Sequence, residues 1–203
     1  MSDLADRFDP ALGLLEFSSI TAGIVAGDAM VKASPVSSLY AGTVHPGRYL
    51  VLVGGDTAAV EIALESGGTD TLVDHLLLPN VHPAVIAALS KSADTAMAEG
   101  DSLGIVEAAT SATAIVAADA GVKAAAVSLV ALRLADELGG KAYCLFSGSV
   151  ADAEAAVESC VEATDQRGHL VGTAVISQLH PEMRDSLHAD LRFNHQLRAH
   201  GGS

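Results

Sequence analysis

The chain carries one pattern twice, and this repeat limits the folds open to it more than any other feature. Ala11-Leu12-Gly13-Leu14-Leu15-Glu16 returns as Ser102-Leu103-Gly104-Ile105-Val106-Glu107, and the run Ile24–Ala33 returns as Ile115–Ala124. At an offset of 91, residues 11–37 are identical to 102–128 at 13 of 27 positions. The offset becomes 93 past Gly47 and Gly140, and 98 by His82-Pro83 and His180-Pro181. The second copy therefore holds two extra residues near one turn and five more before its last strand, where a shared fold tolerates insertions. A repeat this long is a tandem domain, since solenoid units run to about 20–50 residues. The sequence divides into a polar leader, 1–10; a first domain, 11–90; a linker, 91–101; a second domain, 102–188; and a tail, 189–203.

Domains of this size bury only about 60% of their unfolded surface, so each copy is expected to lean on its twin and on other chains. Half of the residues are hydrophobic, yet 3% are aromatic and Trp is absent. Small side chains suit flat, close packing, whereas ligand pockets usually need aromatic lining. The net charge of −14 opposes binding to nucleic acid and to anionic membranes. No apolar run approaches the ~18 residues of a membrane span, and the N-terminal residues lack a signal-peptide core. Cys144 and Cys160 fit no metal spacing and are expected as buried free thiols, in keeping with a cytoplasmic protein.

Periodicity and turn chemistry give the element order βαββαβα in each copy, an α/β architecture with helices against an antiparallel sheet. In copy one, strand Leu12–Glu16 precedes helix Ile20–Ala33, with Ser18, Ser19 and Thr21 as cap candidates. Strands over Val36–Val44 and Arg48–Val53 flank the turn His45-Pro46-Gly47. Asp56 is placed to cap a helix over Thr57–Glu65, and Gly67-Gly68 to end it. Strand Leu72–Leu78 and a short helix Ala84–Leu89 complete the copy. In copy two the longer turn is Asp136-Glu137-Leu138-Gly139-Gly140.

Leu-Gly-x-x-Glu on the first strand, Asp-Ala-Met-Val-Lys-Ala at 28–33, a Gly-containing hairpin turn and Gly-Asp-x-x-x-Val from Gly55 to Val60 together resemble the bacterial microcompartment shell protein domain. Two fused copies, each beginning at the Leu-Gly-x-x-Glu strand, are similar to the tandem-domain, unpermuted, trimer-forming members. The resemblance implies a ferredoxin-like α+β fold, a pseudo-hexameric homotrimer that tiles with other shell proteins of the same compartment, and a central pore for small polar metabolites. It implies no catalytic role, with location in a cytoplasmic microcompartment shell.

The resemblance also implies roles for particular residues. Lys32 and Lys123 match the lysine at the tile edge, and Asn80 and Gln178 stand where the family often has an arginine, so the edge lacks that bidentate group. His45, Pro46 and Gly47 match the pore loop in copy one, and Asp136, Glu137, Leu138, Gly139 and Gly140 do so in copy two. Rings of Asp136 and Glu137 would favour cationic or neutral solutes unless Arg48, His45 and Lys141 turned inward. Some tandem members hold an iron–sulfur cluster through a pore-loop cysteine. Neither turn has one here, so no cofactor or metal is expected.

Recurring Glu16/Glu107, Glu61/Glu154 and His82/His180 follow from duplication without catalysis, and the two histidines, each before a proline, are expected to cap or pack turns. Two alternatives to a shell tile are a trimeric ferredoxin-like regulator that binds a small molecule and an interaction scaffold without a pore.

Overall fold

A computed structural model describes residues 10–90, 97 and 101–189. The polar leader and the tail expected from the sequence lie almost wholly outside the described residues, as does most of the linker. The first lobe runs β1 (Ala11–Phe17), α1 (Ile20–Ala33), β2 (Ser38–Val44), β3 (Arg48–Gly55), α2 (Thr57–Gly67), β4 (Leu72–Leu78) and α3 (Pro83–Ser90). The second runs β5 (Ser102–Ala108), α4 (Ser111–Ala124), β6 (Ser128–Arg133), β7 (Ala142–Gly148), α5 (Val150–Thr164), a 3-10 turn (Asp165–Arg167), β8 (Leu170–Ile176) and α6 (Pro181–Ala189). Each lobe builds one antiparallel four-stranded sheet, ordered β2-β3-β1-β4 and β6-β7-β5-β8.

Two caps, Ser19 and Asp56, form where the sequence offers them, and Thr110 supplies a further one. Ser19 accepts from Ala22 N at the start of α1, Thr110 from Thr113 N at the start of α4, and Asp56 from Ala58 N at the start of α2. Helix α2 ends at Gly67-Gly68 as expected, with Gly68 extended (φ −63°, ψ 133°) and not in the left-handed form of a glycine cap. Gly67 answers to packing instead, since a Cβ there would lie 2.6 Å from Leu15 Cδ1 and 2.8 Å from Met30. The five-residue insertion lengthens α5 beyond α2 and adds the 3-10 turn.

Side chains alternate across each sheet with period two. In the first lobe Ala11, Leu15, Phe17, Val51 and Val53 pack against Ala26 and Met30 of α1 and Val60 and Ala63 of α2. Gly13 shares that face, where a Cβ would meet Val60 at 2.7 Å. The opposite face, with Leu12, Leu14 and Leu76, enters a second core that crosses between lobes. That core takes Val85 and Ile86 from α3 and Ala112, Ile115, Ala118 and Val122 from α4 of the other lobe. Strand β1 is buried along its whole length because it has a covering layer on both faces.

Candidate functional site

The lobes meet through a set of buried polar contacts. Glu16 is fully buried, and its carboxylate accepts from Arg48 Nη1 at 2.5 Å and from Ser111 N, at the start of α4, at 2.8 Å. Exposed amides at a helix N-terminus favour an anion there. Burial raises the Glu16 carboxyl above its ordinary value, outweighing the opposing pull of Arg48 and of the Ser111 and Ala112 amides. Arg48 also donates to the carbonyls of Ala109 (3.1 Å) and Gly140 (3.3 Å) in the second lobe.

Asp74 on β4 accepts from the hydroxyls of Thr110 (2.5 Å) and Thr113 (2.8 Å) and pairs with Arg167 at 2.6 Å. Burial pushes this carboxyl up, but the two hydroxyls and the guanidinium outweigh it and hold it below the usual range. Arg167 donates further to Thr113 Oγ1 and to the His75 carbonyl. Sequence reasoning missed this clamp, because Arg167 arrives on the inserted turn and has no aligned partner in copy one. Its only trace was the length of the insertion.

The two turns singled out in the sequence come together at this junction. His45 Nδ1 lies 3.0 Å from Asp136 Oδ1. Gly140 is buried, and a Cβ there would be 3.1 Å from Pro46 Cδ and 3.2 Å from Arg48 Cζ, so the turns touch through backbone. Gly47 (φ 100°) and Gly139 (φ 63°) take left-handed conformations that glycine adopts freely. Glu137 (φ 62°) and Ala135 (φ 27°) do so without that freedom. Asp136, Glu137 and Gly139 are exposed and Leu138 is half-buried. Arg48 does not turn toward the exposed side of the turns, and Lys141 pairs with Glu107 at 2.8 Å.

The candidate edge residues differ between copies. Lys123 bonds Asp119 Oδ2 and the backbone carbonyl of Asn80, both at 2.5 Å, and so links the lobes. Asp119 in turn accepts from His82 N. Lys32 is exposed and pairs only with Asp28, one turn away on α1, among the described residues. Gln178 is exposed. His82 and His180 each accept through Nδ1 from the backbone at the start of the helix that follows. Cys144 and Cys160 are free and buried, and burial, with Cys160 beside it, lifts the Cys144 thiol well above its ordinary value. Among the described residues no group of three or more His, Cys, Asp or Glu is placed to hold a metal, and no helix is long and apolar enough to cross a membrane.

The helices α1 and α4 are repeat equivalents in opposite surroundings. Ile115 and Val122 of α4 are 0% and 8% exposed, whereas Ile24 and Val31, their counterparts on α1, are 54% and 42% exposed. Ile20 and Val25 extend the uncovered face. On the second lobe, Ile105, Glu107, Tyr143, Leu145 and Leu187 line an open cleft of about 290 Å³. At the offsets of 91, 93 and 98, these five correspond to Leu14, Glu16, Leu50, Leu52 and Leu89. Four of those, all but Glu16, join the core that α4 enters, and Glu16 accepts from the first amide of α4. The chain thus holds one filled joint and both halves of an unfilled copy of it.

Comparison with known proteins identifies the family. The BMC domain matches residues 11–81 and again 102–179. The bacterial microcompartment shell protein PduT of Citrobacter freundii is 42% identical over 178 residues, covering 85% of this chain and 95% of that protein. The carboxysome assembly protein CcmO of a Synechocystis strain is 26% identical over 88% of this chain and 65% of its own length. Among solved structures, a microcompartment protein from Desulfitobacterium hafniense superposes with a TM-score of 0.73 at 40% identity, covering 86% of this chain and 98% of that one. A fused permuted hexameric shell protein from the RMM microcompartment shares the fold, with a TM-score of 0.58 at 20% identity over 78% of this chain and 82% of that one.

Proposed function

The chain belongs to the BMC domain family and is a structural protein of a bacterial microcompartment shell; from that premise we propose that three copies close into a ring of six lobes forming one flat tile. The observation that carries this reading is the unfilled joint. An exposed apolar helix face and an open cleft, each equivalent to a half of the joint already made inside the chain, form a heterologous contact between copies. A heterologous contact ends in a ring when its rotation closes, and in an open filament otherwise. Two lobes per chain, related as neighbours, favour closure at three chains. Burying Ile20, Ile24, Val25 and Val31 would each contribute up to about 1.5–3 kcal/mol, which favours association over solvent exposure.

The tile's opening is formed by the turns at 45–47 and 136–140 from each copy, and small polar metabolites cross the shell there. Lys32 and Lys123, with Asn80 and Gln178 beside them, face neighbouring tiles, which include other shell proteins. The chain carries no reaction of its own, and it resides in the cytoplasm as part of the shell. The domain boundaries at 11–90 and 102–188, with 91–101 between them, describe the units that pair in the ring.

The joint inside the chain supplies the coordinates of the test. Ser111 N contacts Glu16 at 2.8 Å, so Ile20 of one copy meets Glu107 of the next. The double variant Ile20→Cys/Glu107→Cys, oxidised at low protein concentration, should give covalent dimers and trimers on a non-reducing gel, with nothing larger. A ladder without end, or monomers alone, contradicts a closed three-chain ring.

A further inference from the structure

The joint inside the chain and the joint between chains draw on matching residues, with one exception. Lys141 pairs with Glu107 as Arg48 does with Glu16, and Lys32 pairs with Asp28 as Lys123 does with Asp119. Ile24 and Val31 on α1 stand for Ile115 and Val122 on α4. By these features alone, either helix could seat in either cleft. The clamp at Asp74 is the exception. Glu16 on β1 lies opposite Asp74 on β4, whereas Glu107 on β5 lies opposite Gly172 on β8, so Gly172 holds the place of Asp74. Ser19 and Ala22 hold the places of Thr110 and Thr113, and Arg167 sits on the insertion. Gly172 is exposed, and a Cβ there would meet nothing within 4 Å.

The two clefts therefore make different demands on a helix. In the first lobe's cleft, which α4 fills, an α1 from another copy would set Ser19 and Ala22 against Asp74. The Thr113 hydroxyl would be gone, and Arg167 would leave with the second lobe. Asp74 would then be covered without its guanidinium, and a buried charge stripped of its partner is strongly destabilising. Ile20 would also fall where Ser111 is fully buried, and a packed site resists the extra carbon atoms. The second lobe's cleft has neither obstacle, because Gly172 brings no charge and leaves room. Discrimination between partners often comes from such a penalty against the wrong one.

We propose that Asp74, with Thr113 and Arg167, is a key that reserves the first lobe's cleft for α4 and bars α1 of every other copy, so that chains join only through the second lobe's cleft. This inference rests on the ring. The key matters most during synthesis. N-terminal domains generally fold first, so the first lobe stands for a time with its own α1 exposed and its cleft empty. Once the second lobe exists, the linker holds α4 at an effective concentration on the order of millimolar, which itself favours the correct seat. Before then, only the chemistry of the cleft keeps first lobes of different copies from closing on one another. Asp74 does so because the groups that satisfy it belong to the second lobe.

The test maps which cleft α1 enters in the full chain. Asp119 accepts from His82 N at 2.7 Å inside the chain. By the repeat, Asp28 of one copy reaches His180 of another in the correct joint and His82 in the wrong one. Asp28→Cys/His180→Cys and Asp28→Cys/His82→Cys are each expressed and treated with a short bismaleimide, and products joining two chains are read on a denaturing gel. Cys144 and Cys160 are buried and stay silent. The first pair should crosslink between chains and the second should not. Adding Asp74→Gly/Arg167→Ser removes the key without leaving a buried charge unpaired, and should raise the second pair's product about tenfold or more. Asp74→Asn keeps the side chain's shape, removes its charge and should raise the product in the same direction; circular dichroism checks that each variant is folded. If the first pair crosslinks and the second stays silent in the folded key variants, the key is overturned and the ring stands. A second pair that crosslinks with Asp74 and Arg167 in place overturns the key as well. A first pair that gives no product joining two chains overturns the ring, and the inference with it.

Discussion

Asp74 shows how one carboxylate can hold two lobes together. It satisfies two hydroxyls and a guanidinium in a place nearly shut off from water. Asp74→Ala leaves Arg167 and both threonines without their acceptor, and breaking a buried pair from one side typically costs about 3–5 kcal/mol. Chemical denaturation should read a loss toward the lower end of that range, since Arg167 keeps some contact with solvent. The pH dependence follows from the direction of the shift. A carboxyl held below its ordinary value contributes stability that is present above the usual carboxylate range and is lost as pH falls through the folded-state value. Wild type should lose stability below about pH 4, and Asp74→Asn should lose less over the same interval. Glu16 works in the opposite sense. Its carboxyl is raised, so its protonated form is the better tolerated in the fold, and its contribution is greatest at low pH and declines as pH rises through the folded-state value.

At the scale of elements, α1 and α4 carry almost the same residues and meet different fates. Ile115→Glu places a charge in a closed core and should unfold the second lobe, seen as loss of the cooperative thermal transition. Ile24→Glu places the same charge on an exposed face. It should leave the monomer's circular dichroism and melting intact while abolishing association on size exclusion. The order of elements, the sheets and the helix caps were legible in the sequence, because local periodicity and capping residues decide them. The clamp at Asp74 and the inward course of Arg48 were not. Both depend on contacts more than 90 residues apart in the chain or across the joint, and repeat alignment cannot register a residue such as Arg167 that arrives on an insertion. The edge lysines were legible as a pair only. Sequence equivalence hid the fact that Lys123 bonds Asp119 and the Asn80 carbonyl of its own chain, while Lys32 pairs with Asp28 alone among the described residues.

At the scale of the whole molecule, that difference decides how tile packing should be tested. Acidic replacement of Lys123 would set a carboxylate against Asp119 and disturb the joint between lobes as well as the edge. By the repeat, Lys32→Glu does the same beside Asp28 at the joint between copies, so Lys32→Ala with Lys123→Ala, which adds no like charge, is the cleaner probe: trimers should persist on size exclusion, while sheets seen by electron microscopy should be lost. The small lobes, the sparse aromatic content and the uncovered face of α1 fit the proposed ring, in which each lobe would borrow part of its core from the next as the first lobe borrows from α4. Native mass spectrometry in dilute buffer tests that arrangement most directly. It should find one species of three chains, whereas a monomer or dimer as the only species would contradict it.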